Sequence, residues 1–367
     1  MQTILARNVN QALTIALRVA RDESLMKRRD SRNGPVVQFH SPVGTSYSDP
    51  EERVLTWAWR DANPFFHLLE SVWMLAGRAD VAFPARYVER MRTYSDDGEV
   101  LHGAYGRRWR DWFPTIMGAG PLDQVREVIA GLRQDPNCRR QVIQMWDPET
   151  DLGYRGADAP CNLTATVQVS PSGHVDMTVF CRSNDVIWGA YGANAVHFSM
   201  LQEYVAAGVG RPVGELTQVS VNWHAYLAVL DKMPSRQELA IPQLLSKPYS
   251  GCAGCPYVTG AVKPYPLFPE SADLDRFDRS LRQLLDEGPH WKFEDPWVRD
   301  VAAPMALAHE AWVSNRGEEG HRRASEEMHG CAATDWYRAG TEWLDRRMTA
   351  WERARDDGPH AVNPEVN

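Results

Sequence analysis

The chain has 367 residues, of which 43% are hydrophobic and 24% are charged, and its formal net charge at pH 7 is -8. An acidic balance argues against a surface that coats nucleic acid, and no apolar run approaches the roughly 18 residues of a membrane span. The first residues also lack the layout of a secretory signal, so we expect a cytoplasmic protein with reduced thiols and with neither a membrane nor a nucleic-acid partner.

The N-terminal part of the chain predicts helices separated by loop. Residues 10–28 have the apolar spacing of an amphipathic helix, and residues 30–50 predict loop and extended chain. Residues 64–77 are strongly apolar, of helical length, and end at Gly77. Glu70 interrupts this apolar helix. Because burying an unpaired charge is costly, we expect Glu70 to be protonated, paired or facing a polar cavity.

The middle of the chain predicts strands. Short β-rich runs cover residues 141–146, 164–169 and 175–180, with a turn at 170–173 between the last two. A helix is predicted over 195–207 and a further strand over 219–221. Strands and helices in this mixed order favour an α+β fold over regular βαβ repeats.

The C-terminal part changes in composition. After residue 256 it becomes proline-rich and then predicts charged helices, including 273–286 and 321–355. We therefore expect a catalytic domain over residues 1–260, a C-terminal helical extension over 261–355, and a disordered tail over 356–367.

One cysteine has the surroundings of a nucleophile. Cys161 follows Pro160 at the start of a strand-like run, and Arg182 follows about twenty residues later in the run Arg182-Ser183-Asn184-Asp185. A thiol attacks an electron-poor carbon as thiolate, and a nearby fixed cation lowers its pKa. Arginines also occur in short groups, and because guanidinium matches phosphate geometry, a small phosphorylated ligand is the simplest explanation.

Several ordered motifs resemble one family. They run from an arginine-bearing loop to a histidine–tyrosine pair: Arg32-Asn33-Gly34, Glu70, Tyr105-Gly106-Arg107-Arg108-Trp109, Arg139-Arg140, Pro160-Cys161, Arg182-Ser183-Asn184-Asp185, Asn194 and His224-Ala225-Tyr226. In this order the chain resembles the thymidylate synthase and pyrimidine hydroxymethylase superfamily. The resemblance implies an α+β fold with a mixed sheet, surrounding helices and a C-terminal helical extension.

The resemblance also implies roles for the substrate site. Cys161 would add to carbon 6 of a pyrimidine, with Tyr105 among the catalytic residues. Arg182 would contact both the phosphate and the nucleophile and hold the thiol as thiolate. Arg32 and Ser183 would complete the phosphate site, and Arg139 and Arg140 would reach into the neighbouring subunit's site, which implies a homodimer.

The remaining roles concern the sugar, the base and the one-carbon donor. His224 and Tyr226 would bind the sugar hydroxyl, and Asn194 would read the base and take part in catalysis. Glu70 would organise water and move protons. Asp185 would hold the pterin ring of the donor, 5,10-methylenetetrahydrofolate, and Tyr94 would lie beside it.

Three departures from the synthase pattern bear on the reaction. Asn162 follows the nucleophile where the synthases have histidine, Tyr94 occupies the position of a tryptophan that covers the methylene intermediate, and no short closing tail is recognisable. All three favour a C5-hydroxymethylase. A methylating synthase remains an alternative, because Trp109 or Trp188 could cover the intermediate, as does a non-catalytic nucleotide-binding homologue. The base stays open between dUMP and dCMP, and the deoxyribose is favoured over ribose.

A separate motif, Cys252-Ala253-Gly254-Cys255, has the spacing of metal and redox sites. A zinc site needs about four ligands, and no second cysteine pair follows at suitable spacing. We expect an ordinary loop here and no metal, with a metal or redox role as the alternative.

Overall fold

The structure is a computed structural model that describes residues 1–115, 120–235, 237–239, 249–252 and 254–356. At its centre lies an eight-stranded mixed sheet. The strands are β1 (Gln2–Ala6), β2 (Met26–Arg29), β3 (Val36–Phe39), β4 (Val43–Tyr47), β5 (Val142–Gln144), β6 (Asn162–Val169), β7 (Val175–Asp185) and β8 (Val213–Tyr226). Their main order is β1-β4-β8-β7-β6-β5, with β3 on β8 and β2 on β3.

Twelve α-helices are assigned within the described ranges. They are α1 (Val9–Ala20), α2 (Pro64–Leu75), α3 (Ala82–Ala85), α4 (Tyr105–Arg110), α5 (Gln124–Gln134), α6 (Pro148–Asp151), α7 (Asn194–Val209), α8 (Leu227–Leu230), α9 (Leu274–Glu287), α10 (Ala303–Ser314), α11 (Glu318–Met328) and α12 (Thr334–Asp356). None of the helices among the described residues has both the length and the apolar character needed to cross a bilayer.

The register of the central strands sets which side chains can meet. β7 and β8 are parallel, and α7 crosses between them. Their pairing sets Asp185 beside His224 and Ser183 beside Asn222. On the other side of β7, β6 is antiparallel, and Asn162 pairs with Cys181 next to a register shift. The start of β6 and the end of β7 therefore lie together.

The α+β prediction is confirmed, but several bounds differ. The predicted helix over 10–28 ends at Ala20, because Asp22 opens a turn in which its side chain accepts from the Ser24 N–H and its carbonyl from Leu25 and Met26. Residues 30–50 contain the strands β3 and β4, and the strand predicted over 219–221 extends over the whole of β8.

The helix predicted over 321–355 is interrupted between Met328 and Thr334. There the chain turns at Gly330, and the Ala332 N–H donates to the carbonyl of Asp300. The last eleven residues of the predicted tail lie outside the described residues.

The two faces of the sheet differ in what covers them. One face is packed under helices, with Ala165, Met177 and Val179 buried. On the opposite face, Phe180 pairs with Thr164 of β6 and with Val219 of β8. Phe180 is 36% exposed and Val221, two residues along β8, is 54% exposed. This outer face also carries Thr164, Thr166 and Thr178, and it is not covered by helices of the described chain.

The C-terminal helices pack around α2. Phe65 of α2 contacts the ring of Trp343 at a centroid distance of 5.4 Å and that of His309 at 5.5 Å. Ahead of α2, Asp61 accepts from Arg346 Nε at 3.0 Å and from Arg347 Nη2 at 2.8 Å. The helices after residue 261 thus hold the helix that carries Glu70.

Candidate active site

Cys161 lies at the start of β6, where Tyr105 holds its backbone. The N–H groups of Cys161 and Asn162 donate to the hydroxyl of Tyr105 at 3.1 and 3.3 Å. Tyr105 is the first residue of α4, so a helix on one side of the sheet fixes the strand entry. Burial raises the pKa of Tyr105 well above its ordinary value, which keeps the hydroxyl protonated.

Arg182 lies alongside the nucleophile on β7. Its backbone N–H donates to the Cys161 carbonyl at 2.9 Å. Its guanidinium donates from Nε to the Pro160 carbonyl at 2.9 Å and from Nη2 to the Ala159 carbonyl at 3.0 Å. The segment before the nucleophile is therefore bound directly to a cation.

The pKa of the Cys161 thiol is nevertheless raised. Burial is the largest cause, and Arg182 and Arg32 lower the pKa only in part, while the carboxylate of Asp158 raises it further. The sequence-based expectation was that Arg182 holds a thiolate. Desolvation of the sulfur outweighs that effect, so the pKa of the thiol lies above its ordinary value.

Arg32 binds the same segment from its other side. Its two terminal nitrogens lie 3.4 and 3.2 Å from the carbonyls of Gly156 and Ala157, to which they donate. Ser183 follows Arg182 on β7 and is half-buried. Two guanidiniums thus bind the segment before Cys161, and Ser183 follows one of them on β7. Guanidinium and hydroxyl groups together are the composition of an anion site.

Asn194 takes part in a chain of buried amides. Asn162 Nδ2 donates to Asn194 Oδ1 at 3.3 Å, Asn194 Nδ2 donates to Asn184 Oδ1 at 3.1 Å, and Asn184 Nδ2 donates to Ser220 Oγ at 3.0 Å. The residue after the nucleophile and the predicted base reader are therefore joined directly. The orientation of each amide is inferred from this network.

Glu70 lies against a histidine that the sequence did not single out. Its Oε2 is 3.0 Å from His197 Nε2, and the two side chains are 8% and 2% exposed. His67, one turn earlier on α2, has a pKa well below its ordinary value because of burial and of its neighbours Arg60 and His197. Of the alternatives expected for Glu70, pairing describes this contact best.

Asp185 ends β7 beside His224. Its Oδ1 accepts from the N–H groups of Ile187 and Trp188 at 3.0 and 2.5 Å. Its Oδ2 is buried without a hydrogen-bond partner among the described residues. Burial raises the pKa of Asp185. The ring of His224 packs edge-on against Tyr226 at 5.4 Å, so these two predicted sugar ligands lie together.

An aromatic and a cation flank Asp185. The ring of Trp188 is 43% exposed, and the guanidinium carbon of Arg60 lies 4.4 Å from its centroid. Arg60 is buried, donates to the Ile187 carbonyl at 3.1 Å, and has its pKa lowered to about 10 by burial. Trp188 thus offers a flat, accessible surface next to an unpartnered carboxylate oxygen.

Three predicted site residues lie away from this cluster in the single chain. Tyr94 is half-buried in a 3-10 helical turn just before Asp96, whose carboxylate accepts from the Ala157 N–H at 3.0 Å. Asp96, two residues after Tyr94, thus contacts the loop that precedes the nucleophile. Arg139 and Arg140 are exposed between α5 and β5, at the edge of the open sheet face.

The cysteine pair lies elsewhere, near the N-terminus of α1. Cys252 and Cys255 are both buried free thiols, and Asn8 Nδ2 donates to Cys255 Sγ at 3.6 Å. The hydrogen bond from the Cys252 thiol is the main cause that lowers the pKa of Cys255 to about 7. Within the described ranges, no group of three or more histidine, cysteine or acidic side chains could hold a metal ion.

Comparison with known proteins agrees with these motifs. The family model described as thymidylate synthase matches residues 54–249. The chain belongs to the thymidylate synthase family. Members of this family are one-carbon transferases, and the matched segment includes Glu70, Cys161 and Asn194.

Two curated relatives and one solved structure that resemble this chain are phage proteins. A protein of Pseudomonas phage M6 named deoxyuridylate hydroxymethyltransferase is 50% identical over 363 residues, which is 98% of this chain and 99% of that protein. A protein of Bacillus phage SP01 with the same name is 37% identical over 190 residues, 51% of this chain and 49% of that protein. The crystal structure of thymidylate synthase from T4 phage is similar with a TM-score of 0.45 and 23% identity, covering 60% of this chain and 77% of that chain.

Two residues near the site were not expected from sequence reasoning. Asn184 was only part of the arginine motif, yet its side chain contacts Asn194. His197 lies in a helix that is buried on almost all sides, so the sequence alone indicates an ordinary buried histidine at this position. Its position one turn after Asn194 was the available signal, since residues three apart share a helix face.

Proposed function

We propose that the protein transfers a hydroxymethyl group to carbon 5 of dUMP, with 5,10-methylenetetrahydrofolate as donor. The observation that supports this most strongly is the 50% identity, over nearly the whole of both chains, with the deoxyuridylate hydroxymethyltransferase of Pseudomonas phage M6. Within the two bases left open by the sequence, this relative favours uracil.

Cys161 is the proposed nucleophile. Its addition to carbon 6 makes carbon 5 electron-rich. In the free pyrimidine, carbon 5 is not a nucleophile. Because burial raises the pKa of this thiol, its ionisation needs a cation close by. The Arg182 guanidinium, fixed on the carbonyls of Ala159 and Pro160, is the group positioned to favour the thiolate.

The nucleotide would be held at three points. Arg32, Arg182 and Ser183 would bind the phosphate, as the guanidiniums around residues 156–160 suggest. His224 and Tyr226 would bind the sugar hydroxyl. Asn194 would read uracil, with its amide donating to O4 and accepting from N3–H, and the amide chain through Asn184 would fix its orientation.

The donor fits the surroundings of Asp185. The unpartnered, buried Oδ2 of Asp185 suits an N–H group of a pterin, and the exposed ring of Trp188 offers a stacking surface. When bound, methylenetetrahydrofolate supplies the one-carbon unit. Tyr94 would border this unit and, as a smaller and hydroxylated ring than tryptophan, would admit water.

We further propose a homodimer formed through the open sheet face. Phe180 and Val221 are exposed apolar side chains on the sheet face that the described helices leave open. Arg139 and Arg140 lie just before β5 at its edge, so they would extend into the partner's phosphate site.

Residues 1–260 would carry the chemistry, and 261–355 would support α2. The cytoplasmic location stays a prediction.

Mixing of inactive variants tests the shared site. Cys161→Ala and the double variant Arg139→Ala/Arg140→Ala should each be inactive as homodimers. If the arginines serve the partner, each mixed dimer contains one intact site, so equal mixing with subunit exchange restores about a quarter of wild-type activity. Mixing Cys161→Ala with Arg182→Ala is the matched control. Both residues serve their own subunit's site, so every mixed dimer has one site without Cys161 and one without Arg182, and no activity returns. If Arg139 and Arg140 also served their own subunit's site, the first mixture would restore none either.

A product assay tests the reaction itself. Incubation with dUMP, dCMP, UMP and CMP separately, followed by mass spectrometry, should give a hydroxymethylated product from dUMP. Formation of dTMP with dihydrofolate would instead identify a methylating synthase. Failure of every nucleotide to lose tritium from carbon 5 would favour the non-catalytic alternative.

A further inference from the structure

His197 and Glu70 form a buried pair whose contact is incomplete. Nε2 of His197 and Oε2 of Glu70 are 3.0 Å apart. Neither atom, nor Nδ1 of His197, has a partner with hydrogen-bond geometry in the part of the chain that the structure describes. Buried polar atoms are rarely left so, and catalytic hydrogen bonds are often poorly aligned before the substrate binds.

The pair borders the proposed reacting centre. His197 follows Asn194 by three residues on α7, so their side chains lie on one side of that helix. Asn194 accepts from Asn162, the residue after Cys161. Glu70 approaches from α2, which packs against α7. The carboxylate and the imidazole thus lie on the side of α7 that faces the nucleophile's strand.

The surroundings leave His197 as the group that can complete the pair. His67 lies one turn before Glu70 on α2, but among the described residues no hydrogen bond or ion pair joins the two side chains. Arg60 donates from Nε to the Ile187 carbonyl, and among the described residues no ion pair joins its guanidinium to Glu70. An imidazole Nε2–H beside a carboxylate oxygen is a strong donor–acceptor pair, because the acceptor is charged.

We propose that His197 is a positioning residue for Glu70. This inference rests on the proposed function. Its Nε2–H donates to Oε2, which directs Oε1 toward the water that attacks the substrate. Water oxygen bonds to the methylene carbon attached to carbon 5, its proton passes to Glu70, and the displaced electron pair moves to O4. The O4 pair then re-forms the carbonyl, the ring regains its 5,6 double bond, and the C6–S bond breaks with its pair leaving on Cys161.

Two substitutions of similar size separate this role from packing. His197→Gln keeps an N–H donor near the place of Nε2, whereas His197→Leu removes it. We expect His197→Leu to lower kcat about 100-fold with little change in KM for dUMP, and His197→Gln to recover to within about tenfold of wild type. Equal losses in both variants, or a loss in KM alone, would overturn the proposal.

A second measurement does not depend on the reaction. In histidine-labelled protein bound to dUMP, NMR should show a slowly exchanging Nε2–H signal that disappears in His197→Leu and moves upfield in Glu70→Gln, because an amide oxygen is a weaker acceptor than a carboxylate. A signal that ignores Glu70→Gln would overturn the pairing. If wild type makes dTMP instead, the proposed function fails, while the NMR result still decides whether His197 holds Glu70.

Discussion

Replacing Asn194 by aspartate should change the preferred base from uracil to cytosine. Asn194 sits between Asn162 and Asn184, which are 1% and 2% exposed. The chain ends on the hydroxyl of Ser220, which can donate as well as accept. In Asn194→Asp the amide of Asn184 can therefore turn, donate to the new carboxylate and accept from Ser220.

The size of the change follows from the hydrogen bonds at the base. The carboxylate no longer donates to O4 of dUMP, while it accepts from the exocyclic amine of dCMP. Leaving O4 of dUMP unsatisfied costs about 1 to 3 kcal/mol, and a new hydrogen bond from dCMP to the charged carboxylate contributes about 1.5 to 3 kcal/mol, so the two effects together amount to about 2.5 to 6 kcal/mol. The ratio of kcat/KM for dUMP to that for dCMP should fall by about 100-fold or more.

The matched control is Asn194→Leu, which keeps the volume but removes both polar groups. It leaves the buried amides of Asn162 and Asn184 without this partner, and we expect it to lose roughly 2 to 6 kcal/mol of unfolding free energy. Asn194→Asp should lose less, because its neighbours can be satisfied again. Paired steady-state kinetics and urea unfolding measure both effects. An aspartate variant that still prefers dUMP by the wild-type ratio would refute this reasoning.

Three further predictions concern pH and assembly. Alkylation of Cys161, followed by peptide mass spectrometry, should accelerate as pH rises beyond the ordinary cysteine range and should be slower in Arg182→Gln at every pH; equal rates would contradict the role of Arg182. Burial lowers the pKa of His309 to about 4, so its contribution to stability is present above about pH 6.5 and is lost as pH falls toward 4. Between pH 7 and pH 5, the unfolding free energy of His309→Phe, measured in urea, should fall by about 2 kcal/mol less than that of wild type. An equal fall in both proteins would contradict this. Phe180→Glu and Val221→Glu should give monomers in sedimentation, whereas dimers would place the interface elsewhere.

Periodicity and composition predicted the central elements closely. The helix expected over 64–77 is α2, and those over 195–207 and 273–286 match α7 and α9 within two residues. Helical spacing of the apolar residues and clear end signals account for this. The first helix was extended too far because apolar spacing continues past Ala20, while the Asp22 turn depends on one side chain.

The site was predicted in its members but not in all of its contacts. Ordered motifs brought Cys161, Arg182 and Asn194 into one group, and the structure joins their segments. The pKa of Cys161 could not be predicted, because burial depends on packing that no local motif encodes. The same holds for His197, whose importance rests on a distance to Glu70, more than a hundred positions away in the chain.

Running the reaction in H₂¹⁸O, with dUMP and methylenetetrahydrofolate, tests the central proposal most directly. Water addition at the methylene carbon predicts 5-hydroxymethyl-dUMP that carries the heavy oxygen, with tetrahydrofolate as the second product and no product from Cys161→Ala. Unlabelled dTMP accompanied by dihydrofolate would contradict it.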